Sequence, residues 1–273
     1  MTDTTAAETR KLDIGRVMGG TFSVIGRNFV TFAVLGLILA GLPTGLMYVL
    51  QTSAMTEQLA AMETGDLGAT GAYFGNVGLS VVVLMITTAI LQGALIHAVV
   101  QDFSGARASI GEALATGLRA FLPLIAVSIL YTLAIMLGFV LLIVPGIMIA
   151  IALCVCAPAV VADRSGVFGA FTRSRALTRG NRWRIFALFV VLFVLLMVVG
   201  AVVAVVAGAL AFANPTALQD PSALATNPLM IALNVVQQTL SAILSAALIS
   251  VLYVELRQAK EGLGAKDLAD IFN

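Results

Sequence analysis

Charge is scarce in this chain. Asp, Glu, Lys and Arg make up 11% of its 273 residues, while 60% are hydrophobic. A soluble domain carries about 25% charged residues. Too few remain here to coat a water-facing surface, which excludes an ordinary soluble fold. Cysteine occurs twice, at Cys154 and Cys156. Residues two apart on a helix point away from each other, so the pair reads as buried, inert thiols rather than a disulfide. Histidine occurs once, at His97, with no acidic residue beside it in its apolar run. No metal-ligand cluster and no phosphate-cradling glycine loop appears, so neither a metal nor another cofactor is expected. The first 28 residues contain no apolar run long enough for a signal-peptide core, so no cleaved secretory signal is expected.

What the chain has in abundance is long apolar runs. A bilayer core about 30 Å thick needs about 20 helical residues. Six segments meet or approach that length: 29–50, 77–100, 121–144, 146–162, 185–212 and 229–254. The third and fourth are separated only by Pro145-Gly146 in "LLIVPGIMIA". Proline lacks an N–H and disfavours helix in the residue before it, and the glycine can take a turn. A tight helical hairpin is the reading; a proline kink within one span is the alternative. The expected fold is all-α, a polytopic membrane protein with six transmembrane helices. A segment at 1–28 carries an amphipathic helix, residues 29–254 form the membrane domain, and 255–273 form a tail.

All 15 lysines and arginines fall before span one, between spans two and three, between spans four and five, or after span six. The connections at 51–76 and 213–228 and the Pro145 turn hold none; their charges are Glu57, Glu63, Asp66 and Asp220. Loops rich in Lys and Arg are retained on the cytoplasmic side. The pattern therefore predicts both termini in the cytoplasm of a bacterial inner-membrane protein. It also favours the hairpin, because without it Arg119 and Arg164 would lie on opposite sides.

The segments "DIGRVMGGTFSVIGRNF", "SIGEALATGLRAF" and "GVFGAFTRSRALTRGNRWRIF" precede the odd-numbered spans and look alike. Ser109 and Glu112 have capping-box spacing. Ile14, Val17, Met18, Thr21, Val24 and Ile25 share one helical face. Such helices suit the water–lipid boundary. The layout reads as three units of interfacial helix plus helical pair, through repetition or because any basic, amphipathic approach to a span looks this way.

The stretch 145–188 carries Pro145-Gly146, Ala170, Arg173-Ser174, Leu177-Thr178 and Gly180 before an aromatic-basic helix start, and the tail of span six carries Tyr253, Leu256-Arg257 and Lys260-Glu261-Gly262. These features resemble the membrane domain attached to some bacterial glycerophosphodiester phosphodiesterases, a domain that also occurs alone. The resemblance implies six helices and a membrane role. It does not bring the activity with it. The phosphodiesterase proper is a TIM barrel of about 250 residues, and no such length remains here. The apolar spans hold no Asp or Glu before Glu255, whereas phosphodiester hydrolysis needs a metal or an acid–base pair.

Arg173, Arg175, Arg179, Arg182 and Arg184 are the candidate anionic-headgroup residues, because guanidinium binds phosphate oxygens in bidentate fashion. Positive-inside anchoring with Trp183 at the interface would use the same residues. His97, Gln92, Gln237 and Gln238 are the candidate polar groups of the membrane interior. Small residues every four positions, Gly200-Ala204-Gly208 and Ala242-Ala246-Ser250, favour close helix packing or self-association. The expected function is non-enzymatic: engagement of the bilayer and its anionic phospholipids, envelope organisation, or service as a partner subunit, with a homo-oligomer or a membrane-protein partner and no nucleic acid. The alternative is a carrier of a lipid or small amphiphile, with Pro43, Pro158 and the Gln237-Gln238 pair as candidate helix breaks and polar path. A reporter fused at Ala69 or Ala223 should register the side opposite the cytoplasm, and a cytosolic signal at either would overturn the topology.

Overall fold

The computed structural model describes residues 12–64, 67–107, 109–163, 165–213 and 227–261, and every regular element among them is helical. Helix α1 (Ile14–Arg27) is a separate amphipathic helix. The Asp13 carboxylate caps its N-terminus by accepting from the Arg16 N–H, and Val17, Thr21 and Val24 face inward. That capping bond also holds the Asp13 pKa below the usual carboxylate value. After Asn28, the first span runs through α2 (Phe29–Gly36), one π-helical stretch (Leu37–Gly41) and α3 (Leu42–Thr64). Helix α4 follows (Leu67–Phe103), then α5 (Ile110–Leu141), α6 (Ile143–Leu153), α7 (Cys156–Asp163), α8 (Gly166–Thr178), α9 (Arg182–Ala213) and α10 (Pro228–Glu261).

Six stretches are long and apolar enough to cross a bilayer: Phe29–Gln51, Gly71–Phe103, Ile110–Leu141, Ile143–Asp163, Arg182–Ala213 and Pro228–Glu261. The hairpin between spans three and four is present, but its turn is not at Pro145-Gly146. Leu142 alone leaves the helix, with φ −171° and ψ 159°. Pro145 sits in the first turn of α6, where a missing N–H costs nothing. Gly146 packs rather than turns: a Cβ on Gly138 would lie 2.7 Å from the Gly146 Cα. The hairpin is therefore tight because two glycines let its arms meet. Two further expectations shift. Much of the 51–76 connection is helical, since α3 and α4 extend beyond the apolar spans, while 214–226 lies outside the described residues. The second interfacial segment is not a separate helix; α5 runs unbroken from its Ser109 cap through Pro123 into span three.

The centre of the bundle is the second half of α4, around Ala94–Val100, and the second half of α10, around Ala247–Leu256, both almost wholly buried. Span one reaches α10 through Gly36, Gly41 and Gly45. A Cβ on these would approach Ile243 at 2.7 Å, Thr239 at 2.6 Å and Val235 at 2.7 Å, respectively. Val235, Thr239 and Ile243 recur every four residues, but the glycines are spaced five and then four. The π stretch between Gly36 and Gly41 supplies the extra residue that keeps both glycines on the contact face. The small residues of span five are used differently. Gly208 meets nothing within 4 Å, and α9 lies mostly at the periphery, with Ile185, Leu188 and Leu192 as its buried residues.

Gly41→Leu should therefore destabilise the bundle by about 1–3 kcal/mol through overpacking, and Gly208→Leu should not. Reversible unfolding in mixed micelles measures both.

Candidate functional site

Among the described residues, the arginines and Lys260 gather at one end of the bundle, here called the basic end. At its centre two arginines and two carboxylates alternate in a closed ring. Asp163, at the end of α7, accepts from Arg173 Nε of α8 at 2.9 Å and pairs with Arg257 of α10 at 3.1 Å. Glu261, in the last turn of α10, pairs with Arg257 Nε at 2.9 Å and with Arg173. The Tyr253 hydroxyl donates to Asp163 at 2.7 Å. The Arg257 side chain is 8% exposed and that of Asp163 13%, so this pair lies largely out of water, where a missing partner is costly, while Arg173 and Glu261 close the ring on its more exposed side. Burial works against the Arg173 charge, but the two carboxylates more than offset it and raise its pKa.

Further bonds to backbone carbonyls join α8 to α6 and to α10. Span four is interrupted at Cys154–Val155, between α6 and α7. The Ala152 carbonyl accepts from both Ser174 Oγ, at 2.9 Å, and Thr178 Oγ1, at 3.2 Å. Ala170 and Leu177, on the same face of α8, are buried. Lys260 Nζ donates to the Ala176 carbonyl at 2.8 Å. Gly180, at φ +90°, turns the chain from α8 into α9, a backbone angle that favours glycine. Ser174, Thr178, Arg173, Tyr253, Arg257, Lys260 and Glu261, among the residues that carry the resemblance, thus form a clasp binding α6, α7, α8 and α10.

Helix α1 is tied to this end at both termini. The Leu12 N–H donates to Asn181 Oδ1 at 3.3 Å, and Arg184 donates to the Leu12 carbonyl. Arg16 pairs with Glu255 at 3.5 Å. Arg27 and Asn28 both donate to Asp102, at the end of α4, and the Asp102 carboxylate raises the Arg27 pKa.

The five candidate arginines therefore divide. Arg173 is committed to Asp163 and Glu261 and is not open to a phosphate. Among the described residues, no carboxylate lies within 4 Å of Arg175, Arg179, Arg182 or Arg184. Arg175 and Arg179 are exposed. Arg182, Trp183 and Arg184 open α9 and line a groove of 700 Å³ whose other wall is Val144, Ile147, Met148 and Ile151 of α6. Within it Arg182 Nε is buried and makes no hydrogen bond among the described residues, while Trp183 is 85% exposed.

The polar groups of the interior do not converge. His97 is buried five residues before Asp102, about 7.5 Å along α4. Gln237 lies 20 residues before Arg257, about 30 Å along α10, near Gly200 of α9. Gln238 is exposed, and Gln92 is half-buried. Cys154 and Cys156 are free and buried. Asp163, the partner that organises the ring, was invisible as such in the sequence, where it is one acid beside a basic loop. The spacing of Arg257 and Glu261, one helical turn apart, was the available signal.

Six apolar spans, a helical bundle and cations collected at one end define a multi-pass helical membrane protein. The chain belongs to the family described as a domain of unknown function, DUF7847, whose pattern matches residues 29–256. It is also similar to a UPF0259 membrane protein of Pectobacterium carotovorum subsp. carotovorum (strain PC1), 33% identical over 138 residues, which is 50% of each chain. The chain thus spans about half the length of that relative. Neither description carries the phosphodiesterase name. No solved structure matches the chain.

Asp163→Ala should cost about 3 kcal/mol, the low end for removing one partner of a buried ion pair. Arg175→Gln should change stability by less than about 0.5 kcal/mol. Denaturant titration in micelles compares them.

Proposed function

We propose that this chain is a non-enzymatic protein of the bacterial inner membrane that holds an anionic phospholipid at the start of α9. The groove between α6 and α9 carries the reading. It joins Arg182 and Arg184 to an apolar wall, which matches a phosphate-bearing headgroup with an acyl chain attached. Trp183 stands at the level where headgroup and chain meet, as interfacial tryptophans do. Arg175 and Arg179 extend the cationic surface beyond the groove. Both termini and the basic end face the cytoplasm in this reading, against the anionic leaflet. In the cell, such a module serves envelope organisation or acts as a subunit of a membrane-protein assembly. The likeness of 145–188 to the phosphodiesterase-associated membrane domain supports a shared scaffold, without the hydrolase.

Transport of a lipid or small amphiphile is the second reading. The π stretch at Leu37–Gly41, next to Pro43, favours it, since interrupted spans are common in carriers. That interruption is packed by Val235, Thr239 and Ile243 of α10, so the headgroup reading leads.

Basic residues near an anionic leaflet contribute about 1 kcal/mol each, or about fivefold in affinity. Replacing Arg182 and Arg184 with Gln should therefore lower co-purified phosphatidylglycerol and cardiolipin by an order of magnitude or more (about 25-fold for two such contributions). Native mass spectrometry of the purified protein reads this directly, and unchanged lipid content would overturn the proposal.

A further inference from the structure

A second opening at the basic end lies apart from the groove and differs from it in chemistry. It measures 840 Å³ and is bounded by the ends of α4 and α7 and the starts of α5 and α8. His97 and Gln101 of α4 and Glu112, Thr116, Arg119 and Pro123 of α5 supply its polar and bordering groups, and Val160 and Val161 of α7 give it an apolar side. The volume falls within the range of small-molecule sites.

Glu112 and Arg119 are seven residues apart on one uninterrupted helix. Seven residues complete almost two turns, so the two lie on one face, about 10 Å apart along the axis. They do not pair with each other. Among the described residues neither has an ion-pair partner within 4 Å. The carboxylates that end the neighbouring α4 and α7 are taken: Asp102 by Arg27, and Asp163 by Arg173 and Arg257. Opposite charges are thus held open on one cavity. Pro123, four residues after Arg119, has no N–H to give the Arg119 carbonyl, which leaves an acceptor on the same stretch of α5.

A simple anion entering this cavity meets Glu112, and a simple cation meets Arg119. A molecule with both charges satisfies both. We propose that the cavity binds an ammonium–phosphodiester zwitterion, with its ammonium at Glu112, its phosphodiester at Arg119, and its glycerol end against Val160 and Val161. Phosphatidylethanolamine is the membrane source of that chemistry, and glycerophosphoethanolamine the soluble one. The site is independent of the α6–α9 groove: there no carboxylate lines the wall, and anionic lipids are the match.

The test is native mass spectrometry of the full chain in detergent, titrated separately with dioleoylphosphatidylethanolamine, dioleoylphosphatidylglycerol and glycerophosphoethanolamine. Glu112→Gln and Arg119→Gln change exposed side chains, and thermal unfolding of each variant verifies that the fold is kept. Each should lower phosphatidylethanolamine retention about tenfold, the scale of one charge-assisted hydrogen bond, with phosphatidylglycerol retention within about twofold of the parent. Arg182→Gln with Arg184→Gln should show the reverse pattern, so the two sites fail or hold separately. Binding of glycerophosphoethanolamine alone, with the same loss in both variants, supports the site and assigns it to the soluble source. Phosphatidylethanolamine retention unchanged in either variant, or both lipids falling together, overturns the proposal.

Discussion

The alternating ring of Asp163, Arg173, Glu261 and Arg257, with the Tyr253 hydroxyl on Asp163, is the interaction on which the basic end depends. Each charge has two neighbours of opposite sign, so no member is left uncompensated as the helices exclude water. An ion pair in such a setting contributes little net stability over an apolar contact of the same shape, yet breaking it is costly. Its effect is therefore specificity. It holds α8 in one register against α7 and α10, and that register sets the exit of the chain at Gly180 and the direction in which α9 leaves.

Everything further along the chain inherits that placement. The Ala152 carbonyl, at the interruption of span four, is satisfied by the two hydroxyls that α8 presents once docked. Unsatisfied backbone groups are expensive away from water, so the interruption and the docked helix stabilise each other. Arg182 and Trp183 then stand beside α6, and the groove exists because α9 starts there. The amphipathic α1 closes the same end by bonding Leu12 to Asn181 and Arg184 and Arg27 to Asp102.

Two openings on one end differ in the charges they keep free. Along the groove the charged groups are cations without a carboxylate partner among the described residues, Arg182 and Arg184, beside an apolar wall. In the cavity at α4, α5 and α7 one acid and one base remain, on a shared helical face. Arg27, Arg173 and Arg257 are neutralised by the protein itself, so ligand chemistry is set by which charges the ring and the Asp102 cluster leave over. The central glycines of span one bear on this only indirectly. By letting α10 approach closely, they help place Tyr253, Arg257 and Glu261 at the depth of Asp163.

How much of this was legible in the sequence varies with the range of the interaction. Six spans, the hairpin after span three and the amphipathic α1 follow from apolar length and helical periodicity, which are local properties; the helices of spans two, three and six run further than their apolar cores, by up to 11 residues at Ile110. So does the gathering of cations into alternate connections, because a bilayer sorts charge by side along the chain. The tertiary structure decided that the hairpin turns at Leu142, since the close approach of Gly138 and Gly146 is a contact between two arms. It decided that the second interfacial segment continues into its span, and that Arg173 is bound to protein while Arg182 lines a groove. Partnership between charges on helices far apart in the chain, such as Asp163 and Arg257, depends on which helix faces meet, and five arginines in a short run look alike until the carboxylates of other helices arrive beside one of them.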